Sequence, residues 1–206
     1  MNKVVIIGGG TFNHISCHLS LAAPAFGTTA RQLNDLYSEK RGVTPVLVLT
    51  KMADYGSKLI TSDDVIRHVL NEILPDKTVK VIVMNAAMCD FKMESPSTLP
   101  RLSSREDYEV VLEGIQVKLL DAIKTIRPDI VVVGFKTTHG ASLVEQVWKA
   151  SNCLAENKID IVLANDVGVR SNILLNNRSE YLTGEREDLL ETLVQWSLEM
   201  SGLAIR

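Results

Sequence analysis

The chain has 206 residues, of which 46% are hydrophobic and 23% charged, and a formal net charge of −3. That balance describes one globular domain and excludes disorder and collagen-like repeats, and a chain of this length buries roughly 70% of the surface its unfolded form exposes, enough to fold without disulfides. The slightly acidic balance and scattered lysines exclude a nucleic-acid partner, which needs a concentrated basic face, so the expected ligands are small molecules.

Apolar, β-branched runs recur along the chain at Val4–Ile7, Val46–Leu49, Val79–Met84, Ile130–Val133 and Ile159–Leu163. They are short and almost unbroken, as strands covered on both faces are, and they predict a parallel sheet. Between them, Thr28–Lys40, Asp63–Leu74, Gln116–Ile126 and Ser142–Asn157 carry apolar residues at three- and four-residue spacing and predict crossover helices. Ser62 or Asp63 is the expected cap of the second helix. Near the end, Asn172–Leu175 and Glu180–Thr183 flank the polar tip Asn176-Asn177-Arg178-Ser179 and predict a hairpin, followed by an amphipathic helix over Glu185–Met200. The predicted fold class is α/β: a Rossmann-like, mainly parallel sheet with helices on both faces. To it are added a long flap or dimerisation segment over Cys89–Leu112 and the C-terminal hairpin. The alternating Tyr108-Val110-Leu112 stretch has little to bury against within one such sheet, so a homodimer is expected.

No apolar run approaches the ~20 residues of a membrane span, and the opening Met1-Asn2-Lys3 leads directly into an apolar strand without the form of a signal peptide. Cys17, Cys89 and Cys153 lack CxxC spacing and read as reduced thiols. A cytoplasmic protein without a membrane partner is the expectation.

In an open parallel sheet, ligands bind beyond the carboxyl ends of the strands. The residues there are Gly8-Gly9-Gly10-Thr11, then Asn85-Ala86-Ala87-Met88-Cys89-Asp90, then Gly134-Phe135-Lys136-Thr137-Thr138, and Ala164-Asn165-Asp166. The glycines would let backbone N–H groups approach a phosphate, with Thr11 adding a hydroxyl; a tight turn is the plainer reading, since neither GxGxxG nor GxxxxGK[ST] is present. Ala86 and Ala87 are small enough to admit a flat ring or a sugar, and Asp90 suits ribose, base or metal, or a cap. Asn165-Asp166 could equally be a turn. Lys136 stands where a cation could clamp phosphate oxygens, or is a solvated surface lysine. His14, His18, His68 and His139 share no metal-ligand spacing, and neither a metal cage nor a covalent nucleophile is expected.

Taken in order, Gly9-Gly10-Thr11, Asn85 to Phe91, Arg101-Leu102-Ser103-Ser104, Gly134-Phe135-Lys136 and Asp160 to Asp166 resemble phosphopantothenate–cysteine ligase, also called phosphopantothenoylcysteine synthetase, in its stand-alone bacterial form. The resemblance spans nearly the whole chain. It implies a Rossmann-like homodimer of coenzyme A biosynthesis that activates a carboxylate with CTP or ATP and Mg²⁺, giving an acyl-nucleotide that an amine attacks. It further implies that Gly10, Ala86, Ala87 and Asp90 line the nucleotide site, that Phe135 and Lys136 lie against base or phosphates, and that Arg101 belongs to a flap over the triphosphate. Arg101 and Lys136 are then the expected catalytic residues. Flavin chemistry belongs to the decarboxylase often fused to this ligase, so no flavin is expected.

The chain departs from the family where Ser16, Leu19 and Ala23 replace an acid, an arginine and an asparagine, and where Asn152 and Glu156 replace helix lysines. Phosphate charge is lost on two sides. The readings are therefore a divergent acid–amine ligase or a nucleotide-binding homodimer that has lost catalysis; a Rossmann dehydrogenase lacks its fingerprint here.

Overall fold

The computed structural model describes residues 1–93, 101–115 and 119–203. The elements run β1 (Asn2–His14), β2 (Ser20–Ala23), α1 (Thr28–Ser38), β3 (Val43–Leu49), α2 (Ser62–His68, prolonged by a π-helical turn over Val69–Ile73) and β4 (Val79–Ala87). They continue with β5 (Phe91–Met93), β6 (Leu112–Gly114), α3 (Leu119–Ile126), β7 (Val131–Thr138), α4 (Leu143–Asn157), β8 (Ile161–Asp166), β9 (Asn172–Asn176), β10 (Tyr181–Thr183) and α5 (Arg186–Met200).

Five strands are parallel, in the order β3-β1-β4-β7-β8, with β9 and β10 added antiparallel at one end. Alternate side chains of each strand point to opposite faces, and both faces are apolar. Val4 and Ile6 of β1 pack with Ala30, Leu33 and Tyr37 of α1 and with the leucines of α5. Val5 and Ile7 face the other way, into the layer that contains Val65 of α2, Ile123 of α3 and Ala150 of α4. The predicted Rossmann-like architecture and its C-terminal hairpin are present.

Three expectations need correction. β1 does not stop at Ile7: its first half pairs with β3, and its second half pairs antiparallel with β2, from Thr11↔Ala23 to His14↔Ser20. The strand β2 carries no apolar alternation strong enough to be read in advance. The cap of α2 is Thr61, whose hydroxyl accepts from the Asp64 N–H while the Asp64 carboxylate accepts from the Thr61 N–H, a reciprocal box that leaves Ser62 free for another task. The Asp64 carboxyl, although burial tends to raise it, is held below its ordinary value by these bonds and by Arg67. Finally, residues 108–111 form no strand, and only the exposed β6 pairs with β5 in a separate two-stranded sheet. Part of the expected flap, residues 94–100, lies outside the described residues, as does the expected start of α3 at Gln116.

At the amino ends of the strands the molecule is fastened by Arg127, only 5% exposed, whose guanidinium donates to the carbonyls of Leu74, Asp76 and Val79 and to the Asp129 carboxylate. The guanidinium holds the Asp129 carboxyl down at about 2. This lock leaves the opposite, carboxyl end of the sheet to the candidate site.

Candidate functional site

The chain leaves β1 for β3 on one side and returns to β4 on the other, so the topological switch point lies between β1 and β4. A cleft opens there. Its floor is built from polar side chains that satisfy one another. Thr11, fully buried, accepts from the Cys89 N–H at 2.8 Å, shares a hydrogen bond with the Ser62 hydroxyl at 3.0 Å and donates to the Ala87 carbonyl at 3.1 Å. The Asn13 amide donates to the carbonyls of Cys89 and Phe91, while its oxygen accepts from the Ser62 N–H. Four segments, the ends of β1 and β4, the start of α2 and the entry to β5, are thus fastened together.

Above this floor is a cleft of about 360 Å³, walled by Ser62, Ile66, Ala86, Ala87, Met88 and Asp90 on one side and by Leu119, Leu120, Phe135, Lys136 and Asn157 on the other. Ala86 and Ala87 leave room by their small size. Phe135 and Lys136 stand on β7 in register with Leu163 and Ala164 of β8, so the strand and not a loop fixes their direction. Lys136 is half-buried and forms no ion pair among the described residues. Burial pushes the nearby Cys153 thiol up, against the opposing pull of the Lys136 ammonium, which keeps it a thiol and a poor nucleophile at neutral pH.

The residues singled out from the sequence divide sharply. Ala86, Ala87, Asp90, Phe135 and Lys136 meet around the cleft. Gly9, Gly10 and Thr11 do not form a phosphate-cradling turn: they lie inside β1, with Gly9 opposite Ala86 and Gly10 opposite Ala87. Gly9 has φ +100°, and a Cβ there would meet Thr50 Oγ1 at 2.2 Å; one at Gly10 would meet the Ala23 carbonyl oxygen at 2.2 Å. Close packing by itself requires these glycines. Gly134 is buried in β7, where a Cβ would meet Ile159 at 2.7 Å.

Asp166 is 2% exposed and accepts from the Thr138 hydroxyl and from the N–H groups of Gly140, Ala141, Gly168 and Val169, all at 2.8–2.9 Å. Burial tends to raise its carboxyl, and the N–H donors with the Thr138 hydroxyl override that, leaving it well below the usual carboxylate range. It is a structural carboxylate that shapes the turn before α4. The Asn165 carboxamide oxygen accepts from the Thr137 hydroxyl at 3.3 Å, and Asn165, like Arg101, is not among the residues around the cleft.

Ser16, Leu19 and Ala23 sit on the β1–β2 hairpin: Ser16 is buried against His18, Leu19 is exposed, and Ala23 pairs with Thr11. Among the described residues no group of three His, Cys, Asp or Glu side chains could hold a metal ion. No helix among them is long and apolar enough to cross a membrane.

Sequence reading missed Ser62, Ile66, Leu119, Leu120 and Asn157 as cleft residues. Ser62 had a visible signal, a hydroxyl at a helix start, but capping was the simpler explanation. The others are helix residues whose facing depends on the angle at which α2, α3 and α4 cross the sheet.

Fold and cleft together define a Rossmann-like α/β domain of the doubly wound class, with its opening at the switch point. Within that class, the chain belongs to the family described as DNA/pantothenate metabolism flavoprotein C-terminal domain, whose model matches residues 2–194. It is 25% identical to the coenzyme A biosynthesis bifunctional protein CoaBC of Methanocaldococcus jannaschii, an alignment covering 94% of this chain and 50% of that protein. The chain therefore spans about half the length, or less, of the curated relatives it matches. Among solved structures, the DNA/pantothenate metabolism flavoprotein from Streptococcus pneumoniae superposes with a TM-score of 0.79 at 18% identity, over 95% of this chain and 98% of that one. A Cab2 variant in complex with phosphopantothenate-cysteine superposes with a TM-score of 0.69 at 11% identity, over 98% and 87% respectively. These structural likenesses bear on the fold.

Proposed function

We propose that the protein is a nucleotide-dependent acid–amine ligase of the phosphopantothenoylcysteine synthetase type, working as a homodimer with the Cys89–Leu112 segment contributing to the dimer and closing over the site. The observation that carries this reading is Lys136: a strand-borne ammonium without an ion-pair partner among the described residues, lining the same cleft as Ala86 and Ala87 at the switch point. Membership of the family and the likeness to CoaBC support it.

In this reading a carboxylate oxygen of the acid attacks the α-phosphorus of CTP or ATP and the bond to pyrophosphate breaks. The amine nitrogen then attacks the acyl carbon, nucleoside monophosphate leaves with the electron pair, and the nitrogen gives up a proton. Lys136 neutralises charge on the triphosphate, where a pre-positioned cation in a water-poor cleft acts most strongly. Arg101 would add a second cation from the flap. Mg²⁺ would arrive with the triphosphate, because it binds through phosphate oxygens, waters and one or two carboxylates; Asp90 is the cleft's carboxylate.

The acid is expected to be less anionic than 4′-phosphopantothenate. Leu19 and Ala23 bring no charge to the hairpin, and a phosphate deprived of its bidentate partner loses a pair worth about 1.5–3 kcal/mol. Incubation with each nucleoside triphosphate, Mg²⁺, 4′-phosphopantothenate or a neutral analogue, and cysteine, following pyrophosphate, tests the reading. Release that depends on both acid and amine supports it. Tight nucleotide binding without turnover supports instead a binding protein that has lost catalysis, a reading favoured by Glu156 standing where a helix lysine is expected.

A further inference from the structure

Asn13 is a carboxamide only 8% exposed, on the half of β1 that pairs with β2. Its amide group donates to the carbonyls of Cys89 at 3.1 Å and Phe91 at 2.7 Å, and its oxygen accepts from the Ser62 N–H at 3.4 Å. Two donors and one acceptor at one short side chain call for a carboxamide, since a carboxylate has no proton to donate and a hydroxyl has one. The two carbonyls flank Asp90, whose own carbonyl accepts from the Ile115 N–H at 2.8 Å. Three consecutive carbonyls are thus held beneath one exposed carboxylate residue that lines the cleft.

Fastening the junction does not by itself require this arrangement. Thr11 and Ser62 already tie β1 and α2 to the Ala87 carbonyl and to the N–H and carbonyl of Cys89. What Asn13 adds is a bond beyond Asp90, to Phe91, and with it a fixed course for the backbone on both sides of that residue. A carboxylate carried on an immobilised backbone meets a ligand with little further loss of freedom. We propose that Asn13 is a positioning residue: it sets the direction in which Asp90 meets a Mg²⁺–triphosphate, so that the cleft's carboxylate is aimed from the far half of β1. This role rests on the nucleotide reading above. It makes Asn13 act through Asp90, so that its loss harms ligand binding only while Asp90 keeps its charge.

A double-mutant cycle separates positioning from bracing. CTP and ATP are titrated by calorimetry, with and without Mg²⁺, into wild type, Asn13→Ala, Asp90→Asn and the double variant, and the melting temperature of each is recorded. Positioning predicts that Asn13→Ala weakens the Mg²⁺–triphosphate about ten- to a hundredfold, the range of a charge-assisted contact. In the Asp90→Asn background, or without Mg²⁺, the same substitution should cost no more than about twofold. The melting temperature should fall alike in both backgrounds. Asn13→Gln keeps the donors but moves them by one methylene group; it takes the place of the alanine variant if that one does not fold, and should show the same dependence on Asp90. An equal loss with and without the Asp90 charge, or an Asn13→Ala protein that binds as tightly as wild type, makes Asn13 a brace of the fold alone and leaves the nucleotide reading standing. If neither triphosphate binds wild type at millimolar concentration, both fall.

Discussion

The end of β1 and the middle of β7 look alike in sequence, each an apolar run passing into glycine and then polar residues, and they have opposite fates. Around β1, every distinctive polar group is consumed internally: Thr11, Asn13 and Ser62 bond to one another and to the Cys89 backbone. At β7, Phe135 and Lys136 divide two cavities, and Lys136 has no ion-pair partner among the described residues. One region is scaffold and the other lines open cavities. What separates them is where the partners of each polar atom lie, a property of the assembled sheet and not of the residue type.

The sharpest way to break this contrast is Gly9→Ala. A side chain at φ +100° with Cβ 2.2 Å from Thr50 Oγ1 combines backbone strain with overpacking, and a loss of roughly 2–6 kcal/mol is expected in chemical denaturation. A loss below ~1 kcal/mol would show that the glycines are not there for packing.

Asp166 provides the next effect. Its folded carboxyl is depressed, so its contribution is present above the ordinary carboxylate value of ~3.9 and fades as pH falls from there towards the lower folded value. Asp166→Asn should lower the melting temperature at pH 7, and the gap to wild type should narrow as the pH drops through that window. A gap independent of pH would assign the effect to shape rather than charge.

On the cleft side, Lys136→Ala should leave the melting temperature almost unchanged while weakening the proposed triphosphate binding by ~1–3 kcal/mol. An equal loss for nucleoside and triphosphate would remove the lysine from the phosphates. The smallest effect is expected at the neighbouring exposed Thr137, at the edge of the same cleft, whose hydroxyl donates to Asn165 Oδ1 at 3.3 Å. Thr137→Ala should change stability by no more than ~0.5 kcal/mol and leave nucleotide affinity intact.

The order of apolar runs and amphipathic stretches, by itself, determined the α/β class, the parallel core, the C-terminal hairpin and five helices within a few residues. The reason is that burial on both faces of a sheet demands unbroken apolar strands, and a helix must turn one stripe towards them. Ala86, Ala87, Asp90, Phe135 and Lys136 were legible as cleft residues because their positions just beyond apolar runs place them on one rim. Thr11 and Asp166 lay on the same rim by the same logic, and only the tertiary structure shows that their oxygens are engaged by the protein's own N–H and hydroxyl groups. Their hydrogen-bond partners come from segments up to 78 residues away in the case of Thr11 and Cys89, and no local pattern encodes which distant N–H groups will converge on an oxygen. The extension of β1 past its glycines was decided in the same way, because β2 supplies the ladder that holds it and has no strong pattern of its own. Trp148 read simply as one more helix residue; it became a cavity wall through the seating of α4 against β7, which its sequence period leaves open.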